Sequence, residues 1–244
     1  MRFHIITIFP NIFDSYFNES ILGRAIENKK ISVKFYNPRD FIKIPKGKAQ
    51  NNYKPVDERP YGGGPGMVMK AEPILKAVER AISVAEKFSR GPRISSSETR
   101  RDRSRKLLRN LLIINFVPSA EKFTTDFAKK VSKKYTDVIL ICGRYEGIDA
   151  RVDKILKTKK ISIGDYVVTG GELPAMIFVD SVARQIKGVL GKLESLEEER
   201  ISTSEVYTRP EILKYKNKNY KVPKVLLSGN HNLIENWKKL GRKS

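Results

Sequence analysis

The 244-residue sequence has one cysteine, Cys142, and two histidines, His4 and His231. A single thiol excludes an intrachain disulfide framework, and so small a Cys/His set excludes a zinc site of the usual four-ligand kind. No apolar run approaches the ~20 residues that span a bilayer. Met1 to Pro10 holds no apolar stretch ending in a small-residue cleavage site, so no signal peptide is visible. These absences set the expectation of a soluble, cytoplasmic protein in a reducing compartment, with no membrane partner. Negative charge is scarce as well: 27 Asp+Glu face 48 Lys+Arg, a formal net charge of +21. Hydrophobic residues still make up 40%, enough for a folded core.

The excess positive charge is concentrated. Residues 87–109 hold nine Lys/Arg and two acids, and residues 207–244 hold ten Lys/Arg and two acids. Such clustering is the electrostatic footprint of a polyanion binder, because Lys/Arg contacts to phosphates release counterions. The first cluster, about residues 90–106, is Ser- and Arg-rich with almost nothing apolar and reads as a passive disordered insertion. The second interleaves Tyr207, Tyr215, Tyr220 and Trp237 with lysines and keeps the apolar segment Val222 to Leu227. That pattern predicts a small folded basic module.

Apolar and β-branched runs predict strands at Phe3–Phe9, Ile31–Tyr36, Leu111–Val117, Asp137–Cys142 and Lys160–Ile163. Helical spacing predicts helices at Asn11–Phe17, Ser20–Asn28, Glu72–Phe88, Thr124–Tyr135, Gly147–Leu156 and Glu172–Lys187, the last with Pro174 in its first turn. Residues 37–66 read as a long loop rich in Pro, Gly and Lys, of the kind that carries function or moves. Continuous apolar strands alternating with helices indicate an α/β fold with a mostly parallel sheet covered on both faces. The acidic, Ser-rich stretch 192–205 reads as a linker, dividing a domain at 1–191 from a C-terminal domain at 206–244.

Three Gly- or Pro-containing loops follow three of those strands: Val117–Glu121, Gly143–Gly147 and Gly164–Gly171. Ligands of open α/β sheets bind beyond the carboxyl ends of strands, and glycine there lets backbone approach a ligand. Any one loop is readily a tight turn; three in succession favour a site. Tyr61-Gly-Gly-Gly-Pro-Gly66 matches neither a dinucleotide fingerprint nor a P-loop, which counts against an NTPase, and reads as a flexible turn or a lid over a flat ligand. Asp180 and Arg184 stand i, i+4 on one helix face, the spacing of an ion pair. Glu198 and Glu199 lie in the linker, where acids ordinarily do no more than solvate.

Several long blocks carry a family resemblance. Asp57-Glu-Arg-Pro-Tyr-Gly-Gly-Gly-Pro-Gly-Met67, Cys142-Gly-Arg-Tyr-Glu-Gly-Ile-Asp149, Ser162-Ile-Gly-Asp-Tyr-Val-Val-Thr-Gly-Gly-Glu-Leu-Pro-Ala175 and Val225-Leu-Leu-Ser-Gly-Asn-His231 resemble the bacterial tRNA (guanine-N1)-methyltransferases. Pro38-Arg-Asp40 and Tyr207-Thr-Arg-Pro-Glu211 match as well, in the family's order. The resemblance implies a SPOUT-like α/β domain with a deep trefoil knot, a feature otherwise nearly absent from proteins, and a small, mainly helical C-terminal tRNA-binding domain. It implies a homodimer with active sites between chains, S-adenosylmethionine bent in the knot, and as substrate the tRNA guanine just 3′ of the anticodon.

Carried over residue by residue, the resemblance places the cofactor against Gly143, Ile163, Gly164, Asp165, Tyr166, Val167, Val168, Gly170 and Gly171. Arg184 becomes the arginine facing guanine O6, and Asp57, Gly66, Glu146 and Asp180 lie on the substrate side, with room for magnesium near Glu146. The family's linker base is an aspartate; here the aligned residue is Glu199, with Glu198 beside it as the alternative. The first knot loop also departs, reading Val117-Pro-Ser-Ala-Glu-Lys122, and the resemblance implies further helix beyond the Trp237 segment, so the C-terminal domain is expected to be shortened. The competing expectation is a knotted RNA-binding protein with weak or no methyl transfer.

Overall fold

The computed structural model describes residues 1–43, 54–89, 110–190 and 205–240. It divides into two compact units, Met1–Val189 and Leu190–Ser244. The basic insertion at 90–106 and nearly all of the linker at 192–205 lie outside the described residues.

The first unit is built on five parallel strands: β1 (Arg2–Ile6), β2 (Ser32–Tyr36), β5 (Leu111–Phe116), β6 (Asp137–Ile141) and β7 (Lys159–Ile161), in the order β2-β1-β6-β5-β7. A two-stranded antiparallel ribbon, β3 (Asp57–Glu58) with β4 (Val68–Met69), stands apart. Successive side chains of a strand point to opposite faces, and the two cores follow that alternation. Phe3 and Ile5 of β1 and Val138 and Leu140 of β6 enter one core, while Ile6, Ile139 and Ile141 enter the other. Helices α2 (Ser20–Glu27), α4 (Thr125–Lys134) and α6 (Glu172–Ala183) cover the first face through Leu22, Ala128, Val131, Phe178 and Val182. Helices α3 (Ala71–Ser89) and α5 (Arg151–Leu156) cover the second through Ile74, Val78, Ala81 and Val152. β6 lies in the middle of this stack, and all five of its residues are buried.

Local chemistry sets the element ends. Thr124 accepts a hydrogen bond from the Phe127 amide at 3.2 Å and caps α4. Pro10 opens a short 3-10 turn, Pro10–Phe13, that runs into α1 (Asp14–Phe17), where one helix was expected. The expected helix from Gly147 starts only at Arg151, because Tyr145 (φ 60°) and Gly147 (φ 119°) hold the preceding chain in a left-handed bend. The amide of Arg151 then donates to Asp149 Oδ1 at 2.9 Å. α6 ends at Ala183, four residues before the expected Lys187.

The second unit was expected to be mainly helical. It opens with a hairpin of β8 (Ile212–Tyr215) and β9 (Lys218–Lys221), which the sequence reading did not place, followed by α7 (Lys224–Leu227) and α8 (His231–Leu240). The two-residue turn places Lys216 at φ 50°, the backbone that tight hairpins require. Tyr207 packs with Trp237, ring centroids 6.4 Å apart. No helix among the described residues is long and apolar enough to cross a membrane.

At the amino end of the sheet Asp137 is fully buried and answers three donors: Arg2 in a bidentate pair at 2.6 Å on each oxygen, Thr136 Oγ1 at 2.8 Å, and His4 Nε2 at 3.2 Å. Burial alone would raise this carboxyl's pKa. The hydrogen bonds from His4, Arg2 and Thr136, with the Arg2 charge, outweigh it and bring the value down to about 2. An ordinary aspartate titrates near 3.8. The folded form therefore gains stability above about pH 4 that is lost as pH falls through 2, an amount of about 2 kcal/mol. We predict that Asp137→Asn costs about 3–5 kcal/mol at neutral pH, since it leaves Arg2 without its partner in a buried pair. The gap between variant and wild type should narrow in urea melts taken from pH 5 to pH 2. A gap constant across that range contradicts the assignment.

Candidate functional site

Beyond the carboxyl ends of β5, β6 and β7 the chain encloses a cavity of ≈ 420 Å³, within the ~300–1,000 Å³ usual for small-molecule sites. Its walls are Phe116–Pro118 after β5, Gly143 and Tyr145–Ile148 after β6, and Ile161–Ile163 with Tyr166–Gly171 after β7. The start of α6 closes it through Pro174.

The loops are held by backbone contacts that tolerate few side chains. The Gly171 amide donates to Gly143 O at 2.8 Å, and Arg144 and Gly170 form an antiparallel bridge. A Cβ on Gly171 would meet Cys142 Cα at 2.5 Å and the Gly143 nitrogen at 2.9 Å. The third loop is tied to the first where Ser162 donates to Glu121 O at 2.8 Å and accepts from the Phe123 amide at 2.7 Å. The ribbon β3–β4 docks on the second loop: Glu146 donates its amide to Met67 O at 3.0 Å, and Met69 donates to Gly147 O at 2.9 Å.

A buried charge cluster supports this arrangement. Glu172, 2% exposed in the first turn of α6, accepts from Thr7 Oγ1 at 2.8 Å. Its other oxygen lies 2.8 Å from Arg144 Nε, an ion pair whose N–H is not aligned as a hydrogen bond. The helix N-terminus favours an acid there. The Arg144 guanidinium also sits 4.7 Å over the Phe9 ring and donates to Thr169 O at 3.5 Å. Arg144 thus links the second loop, the third loop and the chain leaving β1.

The family described as tRNA (guanine-1)-methyltransferase TrmD matches residues 1–244. The chain belongs to this family. A tRNA (guanine-N(1)-)-methyltransferase of Clostridioides difficile is 42% identical over 243 residues, spanning 98% of this chain and 91% of the relative. That of Buchnera aphidicola is 39% identical over 240 residues, spanning 97% and 87%. The crystal structure of the tRNA (m1G37) methyltransferase from Aquifex aeolicus superposes with a TM-score of 0.70 at 35% identity, covering 99% of this chain and 89% of that one.

Against the tRNA (guanine-1)-methyltransferase pattern, Gly143, Ile163, Tyr166, Val167, Val168, Gly170 and Gly171 all stand on the cavity wall. Gly164 and Asp165 flank it: Gly164 packs on the Tyr166 ring, and the exposed Asp165 carboxylate pairs with Lys122 Nζ at 2.5 Å. Glu146 lines the cavity, and Gly66 (φ 83°) lies so close that a Cβ would meet Glu146 Cγ at 2.6 Å. Asp57 is buried in β3, opposite Met69. Asp180 accepts from Tyr16 Oη at 2.7 Å, a bond that pushes the tyrosine up to about 12. Arg184 caps the same helix, its amide donating to Asp180 O at 3.0 Å. Glu198 and Glu199 lie outside the described residues.

Among the described residues no group of three His, Cys, Asp or Glu converges as a metal cluster. The cavity has the volume of a small-cofactor site, and its wall is largely loop residues. Sequence reasoning passed over Arg144, Glu172, Thr7 and a second polar group on the wall, Asn115, Asp153 and Lys160. The signal for Asn115 was a polar residue inside the apolar run Leu111–Val117. Arg144 and Glu172 lie inside the glycine-bearing blocks Cys142–Asp149 and Ser162–Ala175.

Two glycines of this site should behave oppositely. Gly171→Ala forces backbone apart and is expected to cost about 1–3 kcal/mol, lowering Tm by about 3–10 °C. Gly143→Ala meets only the Ile148 Cγ2 methyl at 3.4 Å and should shift stability by less than about 0.5 kcal/mol. Equal melting temperatures for the two variants in a thermal scan would refute the packing described.

Proposed function

We propose that this chain transfers a methyl group from S-adenosylmethionine to N1 of guanine 37 of tRNA, the base 3′ to the anticodon. The observation that carries this reading is the convergence of three Gly- or Pro-bearing loops on one ligand-sized cavity in a member of this family. Relatives aligned along nearly the whole chain bear the same activity in their names.

Backbone groups of Gly143, Ile163 to Val168, Gly170 and Gly171 would hold the adenosine part of the cofactor. When bound, the cofactor supplies an electrophilic methyl group on a sulfonium. Guanine N1 carries a proton and is a poor nucleophile, so a carboxylate must take that proton as the new N–C bond forms. We assign this to Glu199, or to Glu198 beside it, a contribution of ~10²–10⁴-fold. Loss of the N1 proton moves negative charge onto O6, which Arg184 neutralises, a pairing favoured by the geometry of guanine. Asp57, Gly66, Glu146 and Asp180 form the substrate side in this reading. Glutamate is one methylene longer than the family's aspartate, and Glu198 beside it is the alternative base.

The remaining assignments rest on the family: a trefoil knot in the first domain, about 1–191, a linker at 192–205, and a tRNA-binding domain at 206–244. We infer a cytoplasmic homodimer with active sites between the two chains. The charge of residues 207–244, ten Lys/Arg against two acids, supports phosphate contacts by the second domain.

The test is transfer of tritiated methyl from S-adenosylmethionine to unmodified tRNA. Wild-type protein should label tRNA carrying guanine at position 37 and leave tRNA with adenine there unlabelled. Arg184→Ala should lower transfer by ~10²-fold or more while S-adenosylhomocysteine affinity stays near wild type. Tight binding of cofactor and tRNA without transfer by the wild type would favour a non-catalytic RNA-binding protein. A severalfold loss of S-adenosylhomocysteine affinity in Arg184→Ala would move that residue to the cofactor.

A further inference from the structure

Asn115 on β5 and Lys160 on β7 are register partners in the parallel pairing of these strands. Both reach the same carboxylate on α5. Asn115 Nδ2 donates to Asp153 Oδ1 at 3.0 Å, and Lys160 Nζ lies 2.9 Å from Asp153 Oδ2. Thr158 Oγ1, in the turn leading into β7, donates to Asp153 Oδ1 at 2.5 Å. Asn115 is 3% exposed, and the Asp153 side chain 13%. Burying this much polarity is costly unless every partner is present. Burial alone would raise the Asp153 pKa, but the bonds from Thr158, Lys160 and Asn115 outweigh it and lower the value.

The place of this cluster makes it more than a fold staple. Asn115, Asp153 and Lys160 themselves line the cavity. Asn115 is followed directly by the wall residues Phe116–Pro118, and Lys160 by Ile161–Ile163. Among the described residues β7 is an edge strand of three residues paired only to β5, so its position depends heavily on side-chain anchors. One carboxylate therefore joins the two strands from which two of the wall segments depart.

We propose that Asp153 is a positioning residue for the methyl donor. By gathering Asn115, Thr158 and Lys160 it sets the spacing between the loop after β5 and the loop after β7, and with it cofactor affinity. The inference rests on the cofactor reading above. A misplacement of ~1 Å in such a wall can carry a large penalty.

The experiment is calorimetric titration of S-adenosylhomocysteine into wild type, Asp153→Ala, Asp153→Asn, Asn115→Ala and Asp137→Asn. Circular dichroism first establishes that each is folded at the temperature used. Asp137→Asn is the matched control, destabilised in the same sheet at its far end. Asp153→Ala should bind about tenfold more weakly, with Asp153→Asn recovering part of the loss because it retains an acceptor for Thr158 and Asn115. Asp137→Asn should stay within about twofold of wild type. An Asp153→Ala affinity within about twofold of wild type overturns the inference, as does an equal loss in Asp137→Asn. If Asp153→Ala does not fold, Asn115→Ala and Asp153→Asn decide: about threefold weaker binding supports the proposal, and wild-type binding overturns it. Wild-type protein that fails to bind S-adenosylhomocysteine overturns the methyl-donor reading and this inference with it. Wild-type binding alongside unchanged variants overturns this inference alone.

Discussion

The site depends on the close approach of Gly171 to the backbone of Cys142 and Gly143. There is no room for a methyl group between them, and a hydrogen bond from the Gly171 amide to Gly143 O fills the contact. This contact brings the end of the third loop against the end of β6. The N-terminus of α6 is thereby placed beside the cavity, and Glu172 comes within reach of Thr7 and Arg144. The rest of the site is arranged around that junction: the ribbon β3–β4 leans on Glu146, and the loops after β5 and β7 are stitched to each other.

Polar groups divide the sheet's labour between its two ends. At the amino end Asp137 gathers Arg2, Thr136 and His4. At the carboxyl end Glu172 and Asp153 each gather donors from separate elements around a cavity. All three carboxylates satisfy the same physical demand, that buried charge be partnered. Only those beside the cavity can pass their geometry to a ligand.

Much of the fold was legible in the sequence. Apolar runs, and alternation in the case of β2, located all five strands of the parallel sheet to within a few residues, most plainly β6, whose five residues are all buried. The glycine loops located the cavity wall. What stayed hidden had physical reasons. The bend at Tyr145 and Gly147 displaced the start of α5 through positive φ angles that residue types alone do not announce. The hairpin β8–β9 turns on Lys216-Asn217 without the Asn-Gly or Asp-Gly signal of such turns. All eight of its strand residues are exposed, so no inward alternation marks it. Thr7 lies 165 positions from Glu172, and Asn115 38 from Asp153, and no local pattern links them. The assignment of Glu198 and Glu199 came from the family's motif alone, since nothing in their neighbourhood of linker acids sets them apart.

The central claim is that the cavity beyond β5, β6 and β7 is where the methyl donor sits. A crystal structure of the protein grown with S-adenosylhomocysteine tests it most directly. The account predicts ligand density enclosed by Phe116–Pro118, Gly143–Ile148 and Ile163–Gly171, with the adenine against loop backbone. Density for the ligand elsewhere on the chain, with this cavity filled by side chains, would contradict it.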